Sequence, residues 1–416
     1  MQTSLAGKKD YVAKTIIFFA YTLIPFSVVS GFAVTPIQQL LLLLAVFTLH
    51  KAGQLKPVLS PHNYKYGNNL FTFAAVFFAW CFLSIFWSIK PMDSFRYFIA
   101  IKFVVFSILF LLAYKDKIIS TESLQKISRI LPLAFCIGAA FFMAEVYSGF
   151  TLKQLTRNIF SGGDAPPITI NDFNKTACFF SLFMWAAVFS VATNDNGKTK
   201  WLKIVALISL GFIVITRLEN SSSVLAMLAA IATFVFVLVT KSRANILIPL
   251  SIVIISVATL LMSIYMDPAK IIAKYPDIPP SAAHRLYIWD FAAEKAMDKP
   301  LLGWGLRGSR SIPGGKEPIS ISNMFDNREI LPSHPHNSTL QIWLELGLVG
   351  VVLYLAMIFS AFVQINRSES LIFKAAANAL LVNYIIIGML SFDIWRIWWL
   401  SAGVLAFFYL SLVRTR

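Results

Sequence analysis

Apolar runs long enough to cross a bilayer recur from one end of the chain to the other. A hydrocarbon layer of about 30 Å takes about 20 helical residues. On that measure the pattern predicts twelve spans, near 15–34, 35–49, 70–88, 96–114, 130–147, 175–193, 201–216, 222–240, 245–265, 338–363, 371–390 and 395–412. Short polar connectors separate them, as in Ser60-Pro61-His62-Asn63 and Asn194-Asp195-Asn196-Gly197. One interval breaks this rhythm. Residues 266–337 are too many for a simple connector, and loops of that length usually carry function or are disordered. The expected fold class is an all-α polytopic membrane protein. It divides into nine spans over 1–265, a loop domain over 266–337 with short helices, and three spans over 338–416.

Composition strengthens this reading. The chain has 416 residues, 57% of them hydrophobic and only 13% charged, with 37 Phe. Soluble domains run nearer 45–50% apolar and about 25% charged. The net charge of +16 would suggest nucleic acid in a soluble chain. Here the cations collect in alternate loops, which leaves no case for nucleic acid and makes membrane lipid the general partner. One side holds Lys8, Lys9, Lys14, Lys51, Lys56, Lys65, Lys115, Lys117, Lys126, Arg129, Lys198, Lys200, Lys203, Lys241, Arg243, Arg367, Lys374, Arg414 and Arg416. The short loops of the other side hold Lys90, Arg96, Lys153, Arg157, Lys175, Arg217 and Arg396. The positive-inside rule makes the first side cytoplasmic, with both termini, and places 266–337 outside. Lys8, Lys9 and Lys14 precede a run long enough to stay as a span, so no cleavable leader is expected. Cys81, Cys136 and Cys178 stand far apart in apolar runs, as packing residues do. No sequence repeat relates the two halves.

The outer loop is not disordered by composition. SAAHRLYIWDFAAEKAMDKP reads as one helix, with Ser281 in the N-cap position and Leu286, Trp289, Ala293 and Ala296 as an apolar stripe. Pro300 stops it, and Gly303-Trp304-Gly305 makes a turn.

Candidate chemistry gathers where this loop meets the tenth span, in LPSHPHNSTLQIWLELGLVG, 331–350. Ser338 and Gln341 fit a capping box, with Asn337 as the alternative cap. His336 then lies just outside a helix N-terminus, whose positive end opposes protonation. An imidazole of ordinary pKa near 6.5 stays neutral there, as a general base must. The same position also suits a histidine hydrogen-bonded within a loop. His334 and His336 have metal-pair spacing without a third ligand. Arg285 lies beside His284 in the first turn of the loop helix, where a nearby anion would offset its unfavourable position in the dipole. Arg307, Arg310, Lys316 and Arg328 are further cations of the loop, mostly with the character of solvated residues. Arg217 closes the seventh span at the outer face. Glu219 is close enough to pair with it, and Asn220 or Ser221 caps the eighth span. Lys102, inside the fourth span, is either functional or snorkels to the interface. Glu345, two turns into the tenth span, orients His336, meets a substrate hydroxyl or bonds another helix. Asp393 and Arg396 are spaced to pair, and Trp395, Trp398 and Trp399 have the pattern of an interfacial belt. There is no Walker loop, zinc signature, nucleophile elbow or D-x-D pair.

His336-Asn337, nine residues, and then Gly347-Leu348-Val349-Gly350 resembles the signature of bacterial O-antigen ligases and their polymerase relatives. HRLYIWDFAAEKAMDKPLLGWGLRGSR, 284–310, looks like the upstream half of that region. The detailed resemblance covers about 284–350, and the layout of spans and loop agrees with it. It implies a GT-C-like glycosyltransferase of the Gram-negative inner membrane, working at its periplasmic face. O-antigen on undecaprenyl pyrophosphate would pass to a sugar hydroxyl of lipid A-core, by inversion and without metal or cofactor. It implies His336 as base and Arg285 and Arg217 as pyrophosphate ligands, with Asn337, His334, Glu345, Lys102, Arg307 and Arg310 as supporting candidates. The family pattern sets Ser-Arg directly before the eighth span. This chain has Ser221-Ser222-Ser223 there and its arginine about a turn earlier. An O-antigen polymerase would share the donor chemistry. A secondary transporter would also use twelve spans, but typically with repeated halves and broken helices at the midplane. A non-catalytic membrane scaffold would need none of these polar residues.

Overall fold

A computed structural model describes residues 2–51, 53, 69–163, 165–321 and 324–413. Lys56, Lys65, Arg414, Arg416 and the connector at 60–63 lie outside them, as do the side chains of Lys8 and Lys9.

Helices dominate the described residues. In chain order they are α1 Gln2–Val29, α2 Val34–Lys51, α3 Asn69–Leu83, α4 Pro91–Ile118, α5 Thr121–Tyr147, α6 Thr151–Ser161, α7 Asn174–Asn194, α8 Thr199–Arg217, α9 Ser221–Thr240 and α10 Ala244–Tyr265. Then follow α11 Pro268–Lys274, α12 Pro280–Asp298, α13 Ser338–Asn366, α14 Leu371–Leu390 and α15 Ile397–Leu412. Ten segments are long and apolar enough to cross a membrane. One of them, Ser221–Tyr265, contains both α9 and α10, and α15 is a shorter apolar helix. The twelve predicted apolar runs are therefore all helices, in an all-α polytopic fold.

Helix boundaries differ from the apolar runs where a side chain caps the helix. α5 starts at Thr121 rather than 130, because the Ser120 side chain accepts from Ser123 N–H at 3.2 Å. The first span ends at Val29, and a turn follows in which Gly31 packs on Lys175 Cβ. Two elements were not foreseen. α6 turns Leu155, Ile159 and Phe160 outward, while its Lys153 Nζ bonds Asp172 O at 2.8 Å. In the 266–337 loop, β1 Pro318–Ile321 pairs antiparallel with β2 Phe325–Glu329, with Ile319 opposite Arg328 and a bulge before Ile321.

α7 is the axis of the bundle. Every residue from Thr176 to Ala192 is buried, including Phe179, Phe180, Phe183, Trp185 and Phe189. A helix apolar on all sides belongs inside other helices, and α5, α8, α14 and α15 pack around it. α9 packs along α14, and both helices bury small side chains, Ala226 and Ala230 on α9 and Ala375, Ala376 and Ala379 on α14. Small side chains let helix backbones approach closely in lipid. The outward faces carry Phe18, Phe47, Val235, Ile254 and other large exposed apolar residues, as a lipid-facing surface requires. Trp395, Trp398 and Trp399 are buried, at 3%, 4% and 1% exposure, so they are core rather than the expected interfacial belt. Their rings stack inward: Phe77 on Trp395 and Tyr384 on Trp399.

The loop is fastened to α13 at a break in that helix. Gly347 has φ 69° and ψ −174°, outside the helical region. The break frees the carbonyls of Leu344 and Glu345, which accept from Trp304 N at 2.9 Å and Gly305 N at 2.7 Å. Leu348 N donates to Pro300 O at 2.8 Å. Buried backbone groups need partners, and the Pro300–Gly305 turn supplies them. Its approach is so close that a Cβ at Gly347 would stand 2.0 Å from Leu301 O.

Candidate active site

Five helices present their N-terminal ends to one cavity of about 550 Å³. Asn174 and Lys175 begin α7, and Asn220, Ser221 and Ser222 begin α9. Ser281 and Arg285 lie in the first turns of α12, His336 just precedes α13, and Arg396 and Trp398 begin α15. Phe32, Ser391 and Phe392 close the wall from inter-helix turns. Each helix N-terminus carries about half a positive charge, so their convergence favours an anion.

Local sequence explains the aim of each end. Asn337 caps α13, accepting from Leu340 N at 3.1 Å. Of the two predicted caps, Asn337 is therefore the real one. The Ser338–Gln341 box does not form, because Gln341 is committed elsewhere. Its Nε2 donates to Asp393 Oδ1 at 2.8 Å and Glu345 Oε1 at 3.1 Å, and its Oε1 accepts from Ile394 N. Asn220 caps α9 by accepting from Ser223 N at 2.9 Å, and its amide donates to Asn174 Oδ1 at 3.0 Å, which ties α9 to α7. Ser281 is not a cap: α12 begins at Pro280, and Ser281 faces the cavity instead.

His336 is held by three contacts. Its φ is 54°, a left-handed conformation uncommon outside glycine. Its own N–H donates to His334 Nδ1 at 3.1 Å, and the Trp289 indole clamps the preceding Pro335 carbonyl at 2.8 Å. Its Nδ1 meets the Ser391 carbonyl at 2.7 Å. A carbonyl only accepts, so Nδ1 carries the proton. The neutral ring therefore presents Nε2 as a lone pair. Burial pushes the His336 pKa down and the Arg285 and His284 charges assist, against the Ser391 bond and Asp393. Burial and His336 push His334 down as well, with Asp393 opposing. Both rings are neutral at pH 7. His334 spends its Nδ1 lone pair on the His336 backbone, which leaves His336 as the free acceptor.

The cations are weakly neutralised. Arg285 makes no ion pair or hydrogen bond among the described residues. Lys175 lies over the Phe32 ring, 4.4 Å from its centroid. Arg396 Nε is 4.0 Å from Asp393 Oδ2, while Arg310 stands nearer the same oxygen, at 3.5 Å. The expected Asp393–Arg396 pair is thus loose and shared. Burial would raise the Asp393 carboxyl, but His334, the Gln341 and Trp395 donors and Arg307 outweigh it and hold it low. Glu219 is the one carboxylate in the lining among the described residues.

The remaining candidates lie elsewhere. Glu345 is fully buried beneath the site and accepts from Arg307 N at 2.7 Å, Ser309 Oγ at 2.6 Å, Gln341 Nε2 and Trp395 Nε1 at 2.6 Å. It knots the loop to α13 and α15 and does not touch His336. Arg307 and Arg310 line a second cavity. Arg217 is exposed at the end of α8, outside the lining. Lys102 is exposed on α4, 5.7 Å from the Phe103 ring centroid, and lines neither cavity. Sequence did not assign Lys175, Arg396 or Ser391 to the site. Lys175 and Arg396 had one signal, a cation at the outer start of a span.

Comparison with known proteins follows the same residues. Residues 204–355 match the family described as O-antigen ligase. A protein named "putative polysaccharide ligase" in Rickettsia conorii is 30% identical over 329 residues, 79% of this chain and 76% of its own. One of the same name in Rickettsia felis is 29% identical over 355 residues, 85% and 83% of the two chains. The matched region contains Arg285, His334, His336, Asn337, Glu345 and Gly347, part of the cavity and its support, while Lys175 and Arg396 lie outside it. This chain belongs to the O-antigen ligase family.

Proposed function

We propose that the chain is an O-antigen ligase: it moves a polysaccharide from undecaprenyl pyrophosphate to a sugar hydroxyl of lipid A-core. The reaction takes place at the periplasmic face of the inner membrane, with both termini in the cytoplasm. The relatives' printed name, polysaccharide ligase, favours this over the polymerase reading. The observation that carries the reading is the His336 tautomer fixed by Ser391, inside a cavity where Arg285, Lys175, Arg396 and five helix N-termini converge.

In the reaction the acceptor hydroxyl gives its proton to His336 Nε2. Its oxygen bonds the anomeric carbon from the face opposite the pyrophosphate, and the bond from that carbon to the pyrophosphate oxygen breaks. The pair of electrons leaves on the pyrophosphate, so configuration inverts. Arg285 binds the growing negative charge, with Lys175 and Arg396 beside it, since guanidinium pairs well with phosphate oxygens. In this reading Lys175 and Arg396 take the place that the family resemblance gives to Arg217. A positioned base contributes typically 10²–10⁴-fold. His336→Ala is expected to lower transfer by at least about 10²-fold in proteoliposomes given purified donor and acceptor, with membrane insertion unchanged. Undiminished transfer in that variant overturns the assignment of the base.

A further inference from the structure

A second cationic cavity, of about 420 Å³, lies across Asp393 from the first. Lys90, Asp93, Ser94, Arg96, Tyr97, Arg307, Arg310 and Ser311 line it. Four of these are cations and one is a carboxylate, already shared with Arg96 at 4.0 Å. The cavity is built rather than incidental. The Arg307 backbone is held left-handed, at φ 59°, because its N–H bonds Glu345 Oε2. That turn throws the guanidinium across the Tyr97 ring, 3.2 Å from its centroid. Arg307 Nη1 and Arg310 Nε are buried and find no hydrogen-bond acceptor among the described residues. Buried donors without acceptors are uncommon, and these two belong to the cavity lining. Ser94 Oγ to Leu306 O at 2.6 Å, Ile89 N to Trp304 O at 3.3 Å and Trp87 Nε1 to Leu302 O at 3.1 Å fix the loop against the start of α4.

The surroundings say what kind of molecule brings the anion. Phe86, Met92 and Phe95 at the outer ends of α3 and α4, and Leu301 and Leu302 of the loop, are exposed, Phe86 by 75%. An apolar collar beside clustered guanidinium groups that keep buried N–H donors without acceptors suits a lipid whose head carries phosphate. Asp393 joins the two cavities: Arg310 of the second and Arg396 of the first meet on the same Oδ2.

We infer that this second cavity binds a phosphate group of the acceptor glycolipid, so that donor and acceptor anions sit on opposite sides of Asp393. The inference rests on the acceptor being a glycolipid, as proposed above. Its test is a binding measurement, which stands apart from transfer. Tryptophan fluorescence of the purified full-length protein in detergent is titrated with lipid A, with the same lipid after phosphatase treatment, with phosphatidylglycerol and with inorganic phosphate. Loss of the phosphates is expected to weaken binding about tenfold, one charge-assisted contact. Lys90→Gln combined with Arg96→Gln is expected to bind both glycolipids alike and weakly, while undecaprenyl pyrophosphate binds it as it binds the parent. Arg96→Lys keeps the charge and the phosphate preference. Equal binding of the phosphatase-treated lipid overturns the inference. So does phosphatidylglycerol binding as tightly as lipid A, which marks a general phospholipid site, or inorganic phosphate displacing lipid A at matched concentration. Weakened undecaprenyl pyrophosphate binding in the double variant would assign the cavity to the donor instead. A protein that binds phosphorylated glycolipid but transfers nothing keeps this site and loses the proposed reaction.

Discussion

The two ends of α7 make an instructive pair. At its N-terminal end lies the cavity with His336, of about 550 Å³. At its C-terminal end, between α5, α7 and α8, lies another of about 610 Å³ with Arg129, Asn194, Asp195 and Lys203 around an apolar floor. Size favours the second slightly, yet its Asn194, Asp195 and Lys203 are partnered, and its Arg129 is exposed to solvent. Lys203 pairs with Asp195 at 2.5 Å, and Asn194 Nδ2 donates to Ser128 Oγ at 2.7 Å and Ser190 O at 3.0 Å. At the other end Arg285 has no such partner, and the helix ends point inward rather than away. Chemistry left open, not volume, separates a site from a crevice.

The backbones differ too, which allows a sharp test. Gly347 supports the His336 end and Gly197 turns the chain at the other, with φ 69° and 74°. An added Cβ meets Leu301 O at 2.0 Å in the first case and nothing within 4 Å in the second. Gly347→Ala must pay for left-handed backbone and also displace the turn that carries Gly303 and Gly305. We expect a loss of about 3 kcal/mol, read as early aggregation on heating in detergent. Gly197→Ala should cost only about 1 kcal/mol. Equal losses would mean that the α13 break is not what fastens the loop.

Electrostatics gives the next largest contrast. Arg285→Ala removes an unpaired cation from the donor side and is expected to weaken undecaprenyl pyrophosphate binding about 10- to 100-fold, the range for charged hydrogen bonds. Arg129→Ala, at the far end of α7, should leave binding and transfer unchanged. A large effect of Arg129→Ala with none from Arg285→Ala would move the donor to the other face and reverse the proposed orientation.

The contrast also shows what the sequence could reveal. All twelve apolar runs were legible, because span length is set by lipid thickness and survives any packing arrangement. The junction at His336 was legible because cap, histidine and helix lie within a few residues. What was not legible depends on folding in three dimensions. Lys175 and Arg396 reach the cavity from helices 160 and 60 residues from His336 in the chain, roughly, outside the matched region 204–355. The tryptophans at 395, 398 and 399 have belt composition, and only their packing on Phe77 and Tyr384 shows them to be core. Glu345 needed a partner, and its four donors come from one segment of loop at Arg307 and Ser309, from its own helix and from the turn before α15.

The smallest predicted effect tests the base most directly. Among the described lining residues, the His336 cavity has histidines, the side chain whose ordinary pKa lies near 6.5, and the cavity at the other end has none. If His336 is the base proposed, transfer needs it neutral, so the rate should be flat above pH 7 and fall with acidity. Because burial, Arg285 and His284 lower the His336 pKa, the midpoint of that fall should lie below 6.5. Arg285→Gln removes one of the opposing charges, so the residual activity of that variant should show a midpoint moved upward, toward 6.5. Arg129→Gln should leave the midpoint where it was. His334 titrates lower still and sets no limb in this range. A pH–rate profile at saturating donor and acceptor reads all three. A midpoint that ignores Arg285 would mean that the group limiting transfer is not the imidazole beside it.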